Sequence, residues 1–178
     1  MIADLATNAK LRTIIRTMLE MGENTVRPAH QNAPIYKGEE YITVQITGEH
    51  AEGTDETSWE DIEGGLVAIE HISGVRLTSA TIQYYNGDAY EHLRMLSTRL
   101  QSYIASQMMS EAGFGYVTVS SVQDLTGLLP DEIWQSRAVM RFDFYVEVND
   151  LVRVPLIVKL PLTTYLDNGQ QRHSEVTA

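Results

Sequence analysis

"RAVMRFDFYVEV", residues 137–148, is the stretch on which the fold turns. Ala138, Met140, Phe142, Phe144, Val146 and Val148 alternate with Val139, Arg141, Asp143, Tyr145 and Glu147. A period of two sends successive side chains to opposite sides of an extended chain, so the stretch predicts a strand with one apolar face against a core. Asp143, flanked by two phenylalanines, then lies on the polar face near Arg141 and Tyr145, where a cross-strand ion pair is its expected role. A second apolar run, "LVRVPLIVKLPL" at 151–162, follows Asn149-Asp150, and Pro155 marks it as an edge or bulged strand.

Working outward, residues 3–21 predict a helix. Leu11, Ile14, Ile15, Met18 and Leu19 form its buried stripe, Arg12 and Arg16 share an outer face, and Gly22 and Asn24 end it. Pro28 and Pro34 bias the following segment towards extended conformations, and Glu40–Thr47 alternates as a strand with Ile42, Val44 and Ile46 on its apolar side. Residues 49–65 carry seven acids and no Lys or Arg, which predicts a long loop or an extended hairpin tip. "LVAIEHI" and "VRLTSATIQYY" read as strands joined tightly at Ser73-Gly74.

A second long helix is expected over 88–110, opened by a capping box of Asp88 and Glu91. Its core stripe is Ala89, Leu93, Leu96, Leu100 and Ile104, and Gly113 closes it. "FGYVTVSSV" then reads as a strand, and "DLTGLLPDEIWQS" as an irregular connector with a short helical turn. The order α-β-β-β-α-β-β-β predicts an α+β fold: a mainly antiparallel or mixed sheet flanked by two long helices, with a long acidic loop. The expected layout is one domain over 1–166 with an acidic insertion at 49–65, followed by a polar, mobile tail over 167–178.

The chain has 178 residues, 43% of them hydrophobic, enough for a sizeable core. Its formal charge of −11 opposes binding to DNA and anionic membranes, although such a surface suits a channel through which DNA slides. The absence of cysteine excludes disulfides, thiolate metal sites and cysteine nucleophiles. Asp4, Lys10, Arg12 and Arg16 interrupt the N-terminal apolar residues, so neither a secretory signal nor a membrane span is expected, and the chain reads as made in a cytoplasm.

Chemistry leaves few traces. There is no Walker loop, no GxGxxG after a strand, no GxSxG elbow and no HExxH pattern. "GFGY" at 113–116 ends a helix and opens a strand, the wrong order for phosphate capture. His30, His50, His71, His92 and His173 are scattered. His50, beside Glu49 and Glu52, is the best metal candidate, but the acidic stretch lacks the ordered spacing of a calcium loop. Neither a catalytic residue, a metal nor a cofactor is expected. Basic residues are spread too thinly for a nucleic-acid grip, the nearest cluster being Lys10, Arg12 and Arg16. Trp59 within the acidic stretch and Tyr36 before the first strand are candidate interface anchors, the alternative for Trp59 being that it folds back on its own sheet.

The order of "QNAPIYKGEEYITVQI", an acidic insertion, "VRLTSATIQYYNGDAYEHLRMLSTRLQS" and "VSSVQDLTGLLPDEIWQSRAVMRFDFYVEV" resembles the tail or neck terminator proteins of tailed bacteriophages over roughly residues 25–150. The residues that carry the resemblance are Gln31, Asn32 and Pro34 before Tyr41, then Asp88-Ala89, then Asp124-Leu125-Thr126 and Arg137-Ala138. It implies a structural virion protein assembled in the bacterial cytoplasm, with no enzymatic activity. The implied assembly is a homohexameric ring that caps the tail tube, ends its polymerisation and joins tail to head.

Its implied partners are itself, the tail tube protein, a head-completion or connector protein and, in contractile tails, the sheath. DNA passes through the lumen without sequence-specific binding. The residues expected at partner contacts are Gln31, Asn32, Pro34, Tyr36, Glu56, Trp59, Glu60, Asp61, Arg12 and Arg16. The alternatives are a head–tail connector and a metal-dependent hydrolase built on His50 and the neighbouring acids.

Overall fold

The computed structural model describes residues 2–29, 39–61, 67–128, 134–155, 159–165 and 171–177. Within them the order is α1 (Ile2–Leu19), β1 (Val26–Pro28), β2 (Tyr41–Asp61), β3 (Val67–Tyr85), α2 (Ala89–Arg99), α3 (Tyr103–Ala112) and β4 (Phe114–Val119). The short β5 (Gln123–Asp124), β6 (Gly127–Leu128) and β7 (Trp134–Gln135) follow, then β8 (Arg137–Pro155), β9 (Lys159–Tyr165) and β10 (Gln171–Thr177). The chain divides into two compact units, residues 1–52 with 75–147 and residues 53–74 with 148–178. The α+β class holds.

The main sheet has the order β1-β2-β3-β8-β4, with β5 also pairing β8. β4 and β5 run antiparallel to β8, while β1 is parallel to β2, with Val26 opposite Ile42 and Pro28 opposite Val44. Adjacent parallel strands need a crossover of about a dozen residues. Residues 29–40 have that length, which gives the proline-punctuated segment its topological task. Its central part, 30–38, lies outside the described residues.

In the first unit the alternation of β8 is realised. Ala138, Met140, Phe142 and Phe144 are at most 1% exposed, and they meet Ile42 and Val44 of β2 and Ala80, Ile82 and Tyr84 of β3. The three helices add Leu11, Ile14, Ile15 and Met18, then Ala89, Leu93, Leu96 and Leu100, then Ala105 and Met109, to the same core. Burying each large apolar side chain stabilises by about 1.5–3 kcal/mol, so this side of the sheet dominates the stability of the unit. The opposite side, with Tyr41, Thr43, Thr81, Gln83, Tyr85, Arg137 and Val139, is half-buried.

The second predicted helix is two helices. Gln101 N–H and Ser102 N–H donate to Thr98 and Arg99 carbonyls three residues back, which tightens and ends α2. Ser102 then takes an extended conformation and its Oγ accepts from Ala105 N–H at 3.3 Å, capping α3. The restart shifts the buried face by one position. Ala105 and Met109 are buried, whereas Ile104, expected in the core, is 63% exposed. The capping box at α2 does not form either: Asp88 makes no side-chain cap, and Glu91 pairs with Arg94 Nη2 at 2.8 Å. At the end of α1, Glu20 takes a positive φ of 57° and stops the helix just before Gly22. Gly113, at φ 79°, caps α3 as expected.

Two turns predicted from sequence are absent. Ser73-Gly74 lies inside β3 and Asn149-Asp150 inside β8, because none of the four adopts the positive φ that a two-residue hairpin turn requires. The acidic residues 49–61 are strand, not loop, so the extended-hairpin reading is the correct one there, and residues 62–66 lie outside the described set. β2 and β3 are neighbours joined by a link far too short for a parallel crossover, hence antiparallel. Gly53, at φ 82°, is where β2 passes from one unit to the other. In the second unit, the polar C-terminal stretch forms β10, which pairs antiparallel with β9 from Gln171–Tyr165 to Thr177–Lys159.

Replacing the buried Met140 by Asp places a charge in the centre of the core, and the variant is expected to show no cooperative thermal transition. Ser102→Ala should cost about 1 kcal/mol by removing the α3 cap, measurable as a lower denaturation midpoint with an unchanged slope.

Candidate interaction surface

One end of the outer sheet face carries a ladder of alternating charge and ring across four strands. Arg27 of β1 lies over the Tyr41 ring of β2 at 6.0 Å, Tyr41 stacks on Tyr85 of β3 at 4.6 Å, and Arg137 of β8 lies over Tyr85 at 5.2 Å. The arrangement follows from register: Tyr41, Tyr85 and Arg137 all occupy odd-numbered positions, opposite the buried even-numbered face. Gln83 knits it together, its Oε1 accepting from Tyr85 Oη at 2.6 Å and from Arg137 Nη2 at 2.5 Å. Arg27 Nε donates to the Asn24 carbonyl at 2.5 Å. Arg137 Nε is buried without a hydrogen-bond partner. The guanidinium is held in place by the Tyr85 ring and Gln83.

Beneath the ladder a lock fixes the start of β2. Tyr84 Oη donates to Glu40 Oε2 at 2.6 Å and its ring stacks on His92 at 4.8 Å. Asn86 Nδ2 donates to the Glu39 carbonyl at 2.6 Å, and Asn86 N–H donates to the Ser136 carbonyl at 2.8 Å. Gly87, at φ 52°, passes so close to the Glu40 side chain that a Cβ there would displace the carboxylate from the lock and strain the backbone as well. Burial, and then the Glu40 hydrogen bond, push the Tyr84 phenol well above its ordinary value; burial, and then Tyr85, push Tyr41 up, against Arg137 and Arg27.

Further along β8, Arg141 Nε binds Asp143 Oδ1 at 2.7 Å and its Nη2 donates to Ser79 Oγ at 2.7 Å. The expected ion pair forms, but along one strand; the cross-strand partner of Arg141 is Ser79. Beyond the sheet, Leu128 and Trp134 face each other across the β6–β7 pair, 56% and 71% exposed.

The residues singled out from sequence do not form one cluster. Gln31, Asn32, Pro34 and Tyr36 lie outside the described residues. On α1, Arg12 Nε donates to Asn8 Oδ1 at 3.0 Å and Arg16 lies 3.9 Å from Glu23. On β2, in the other unit, Glu56 and Glu60 are exposed and Trp59 stands 57% exposed, not folded back on its sheet. Asp61 closes that strand. Glu60 Oε2 lies 3.2 Å from His71 Nε2, and His50 Nε2 lies 3.1 Å from Glu52 Oε1.

Among the described residues no three His, Asp or Glu side chains gather as a metal site, and no helix is long and apolar enough to cross a membrane. Sequence reasoning placed Tyr41 on the outer face but missed its partners and the exposed Trp134. The signal for the partners was the shared parity of Tyr85 and Arg137, which shows only once strand register is known.

The family model for the phage neck terminator protein matches residues 8–169, taking in the greater part of α1, the whole main sheet and the ladder. No curated protein matches the sequence.

The buried phenol of Tyr84 and the half-buried one of Tyr41 give the fold an alkaline limit. Both tyrosines ionise later in the folded chain than their ordinary 10.0, so their contribution is complete below pH 10 and is lost as pH rises above it. Melting temperature should fall between pH 10 and 11.5, and Tyr84→Phe should flatten that fall while costing about 1 kcal/mol at pH 7.

Proposed function

This chain belongs to the phage neck terminator family, and on that premise we propose that copies of it close into a ring on the last layer of a tail tube. The family is one of structural phage neck proteins, not of enzymes, and a neck protein is a component of the virion. The finer reading is that the ring, six-fold by the resemblance noted above, ends tube polymerisation and offers its far side to a head-completion or connector protein. In a contractile tail it would also hold the end of the sheath.

The observation that carries this reading is the one-sided sheet. Helices cover one face and leave the other, with its polar and aromatic side chains, half-buried and open to neighbours. Ring closure requires such a surface, because head-to-tail contacts use two different patches of each copy. The excess of acids supports a lumen past which DNA slides without adhering, since phosphate binding grows with each basic contact. Exposed Trp59 and the Leu128–Trp134 pair supply aromatic anchors of the kind that dominate interface energies.

Electron microscopy of the purified protein mixed with isolated tail tubes tests the proposal. Rings seated on tube ends, and tubes that no longer elongate, are the expected result. Protein that ignores tubes but binds portal complexes would move the assignment to a connector. Trp59→Ala should leave the unfolding free energy within about 0.5 kcal/mol of the parent, as for other exposed substitutions, and weaken tube capping by about 2 kcal/mol or roughly 30-fold in affinity.

A further inference from the structure

We infer that the tongue formed by β6 and β7 in one copy docks on the outer stripe of α1 in the next copy around the ring. The inference rests on the ring reading and names the two patches that would meet. The tongue presents apolar side chains. Leu128 and Trp134 are directly opposite in the β6–β7 register, so they share one side of the pair, 56% and 71% exposed. Both feet of the tongue are tied down. Leu125 N–H donates to the Arg137 carbonyl at 2.7 Å, Asn86 N–H to the Ser136 carbonyl at 2.8 Å, and Gln135 Nε2 to Asn86 Oδ1 at 3.3 Å. Asp124 Oδ1 accepts from Thr126 N–H at 2.8 Å and from Thr126 Oγ1 at 2.6 Å, so the Asp-Leu-Thr motif fixes the turn by which the chain leaves β5. A tongue held in this way loses little conformational freedom on docking.

Charge complementarity selects α1 as the receiver. From Asp124 to Ser136 the chain carries three acids and no basic residue, whereas from Leu5 to Leu19 it carries three basic residues and no acid. Leu5, Ala9, Arg12 and Arg16 follow the i, i+4, i+7, i+11 spacing of one helical stripe, beside the buried stripe of Leu11, Ile14, Ile15 and Met18. Its first half is apolar, with Leu5 70% exposed, and its second half is cationic. Lys10 is turned to α3, donating to the Ala112 carbonyl at 2.9 Å. Among the described residues Arg12 binds the neutral Asn8 amide and no carboxylate, and Arg16 has Glu23 at 3.9 Å, the outer limit of an ion pair. An indole suits both halves: its body packs on Leu5 and Ala9, and its face attracts a guanidinium. Because tongue and helix stripe are different patches, the contact is head-to-tail and propagates around a ring instead of closing a two-fold dimer.

Cross-linking tests this, since the chain has no cysteine of its own. A9C copies and L128C copies are added to tail tubes, singly and as an equal mixture, and treated with a short bis-maleimide. The mixture should give at least tenfold more covalent dimer than either variant alone. No excess in the mixture overturns the inference, and so do dimers of equal yield from one variant, which would mean a two-fold contact. Independently, R12E/R16E should cap at least tenfold fewer tube ends than the parent, and unchanged capping overturns the inference. If R12E/R16E lacks the parental melting transition, R12Q/R16Q takes its place with the same two readings. Capping by the parent protein separates the two proposals. With the parent seated on tube ends and no mixed dimer, this contact fails alone; if the parent leaves tubes bare, the ring reading fails first and takes this contact with it.

Discussion

The structure depends on the one-sided burial of β8. Ala138, Met140, Phe142 and Phe144 turn one face of β8, an interior strand of the sheet, into the floor of the core, and each helix is placed by what it packs against that floor. Phe142 and Phe144 stack at 5.1 Å, and Phe114 of β4 tilts onto Phe144 at 4.9 Å, so the edge strand is held by rings as well as by its ladder bonds. Because successive residues of a strand point to opposite sides, fixing this face also fixes what the other displays. The Arg27–Tyr41–Tyr85–Arg137 ladder is in that sense a by-product of core packing: no residue of it could be moved by one position without sinking into the core.

Legibility in the sequence followed the range of the forces involved. The alternation of 137–148, the stripe of α1 and the glycine stop at 113 were all readable, because each is decided within a few residues by burial or backbone sterics. The split between α2 and α3 was harder. A continuous stripe through Leu100 to Ile104 was plausible until the Ser102 cap rotated the face by one residue. Acid-rich composition suggested a loop where the structure has strand, since charged residues are tolerated on exposed strands whose backbone bonds are made by a neighbour. The turns expected at Ser73-Gly74 and Asn149-Asp150 failed for the same reason: composition allows a turn, but pairing with a long neighbour decides whether one is made.

The interaction surface was legible only in pieces. Single exposed aromatics such as Trp59 stand out in a sequence, whereas Arg27, Tyr41, Tyr85 and Arg137 are separated by up to 110 positions (137 − 27) and become one feature only through strand order. The parallel pairing of β1 with β2 was likewise invisible, since three residues carry no periodicity worth reading. What a family model recognises over residues 8–169 is the scaffold that brings these distant positions together.

That parallel pairing is held by bonds outside the three residues of β1. Ala29 N–H donates to the Val44 carbonyl at 2.9 Å, and the Tyr84, Asn86 and Gly87 lock grips Glu39 and Glu40 at the start of β2. A strand so short keeps its register through such clamps, and they are what let β1 carry Arg27 to the end of the ladder.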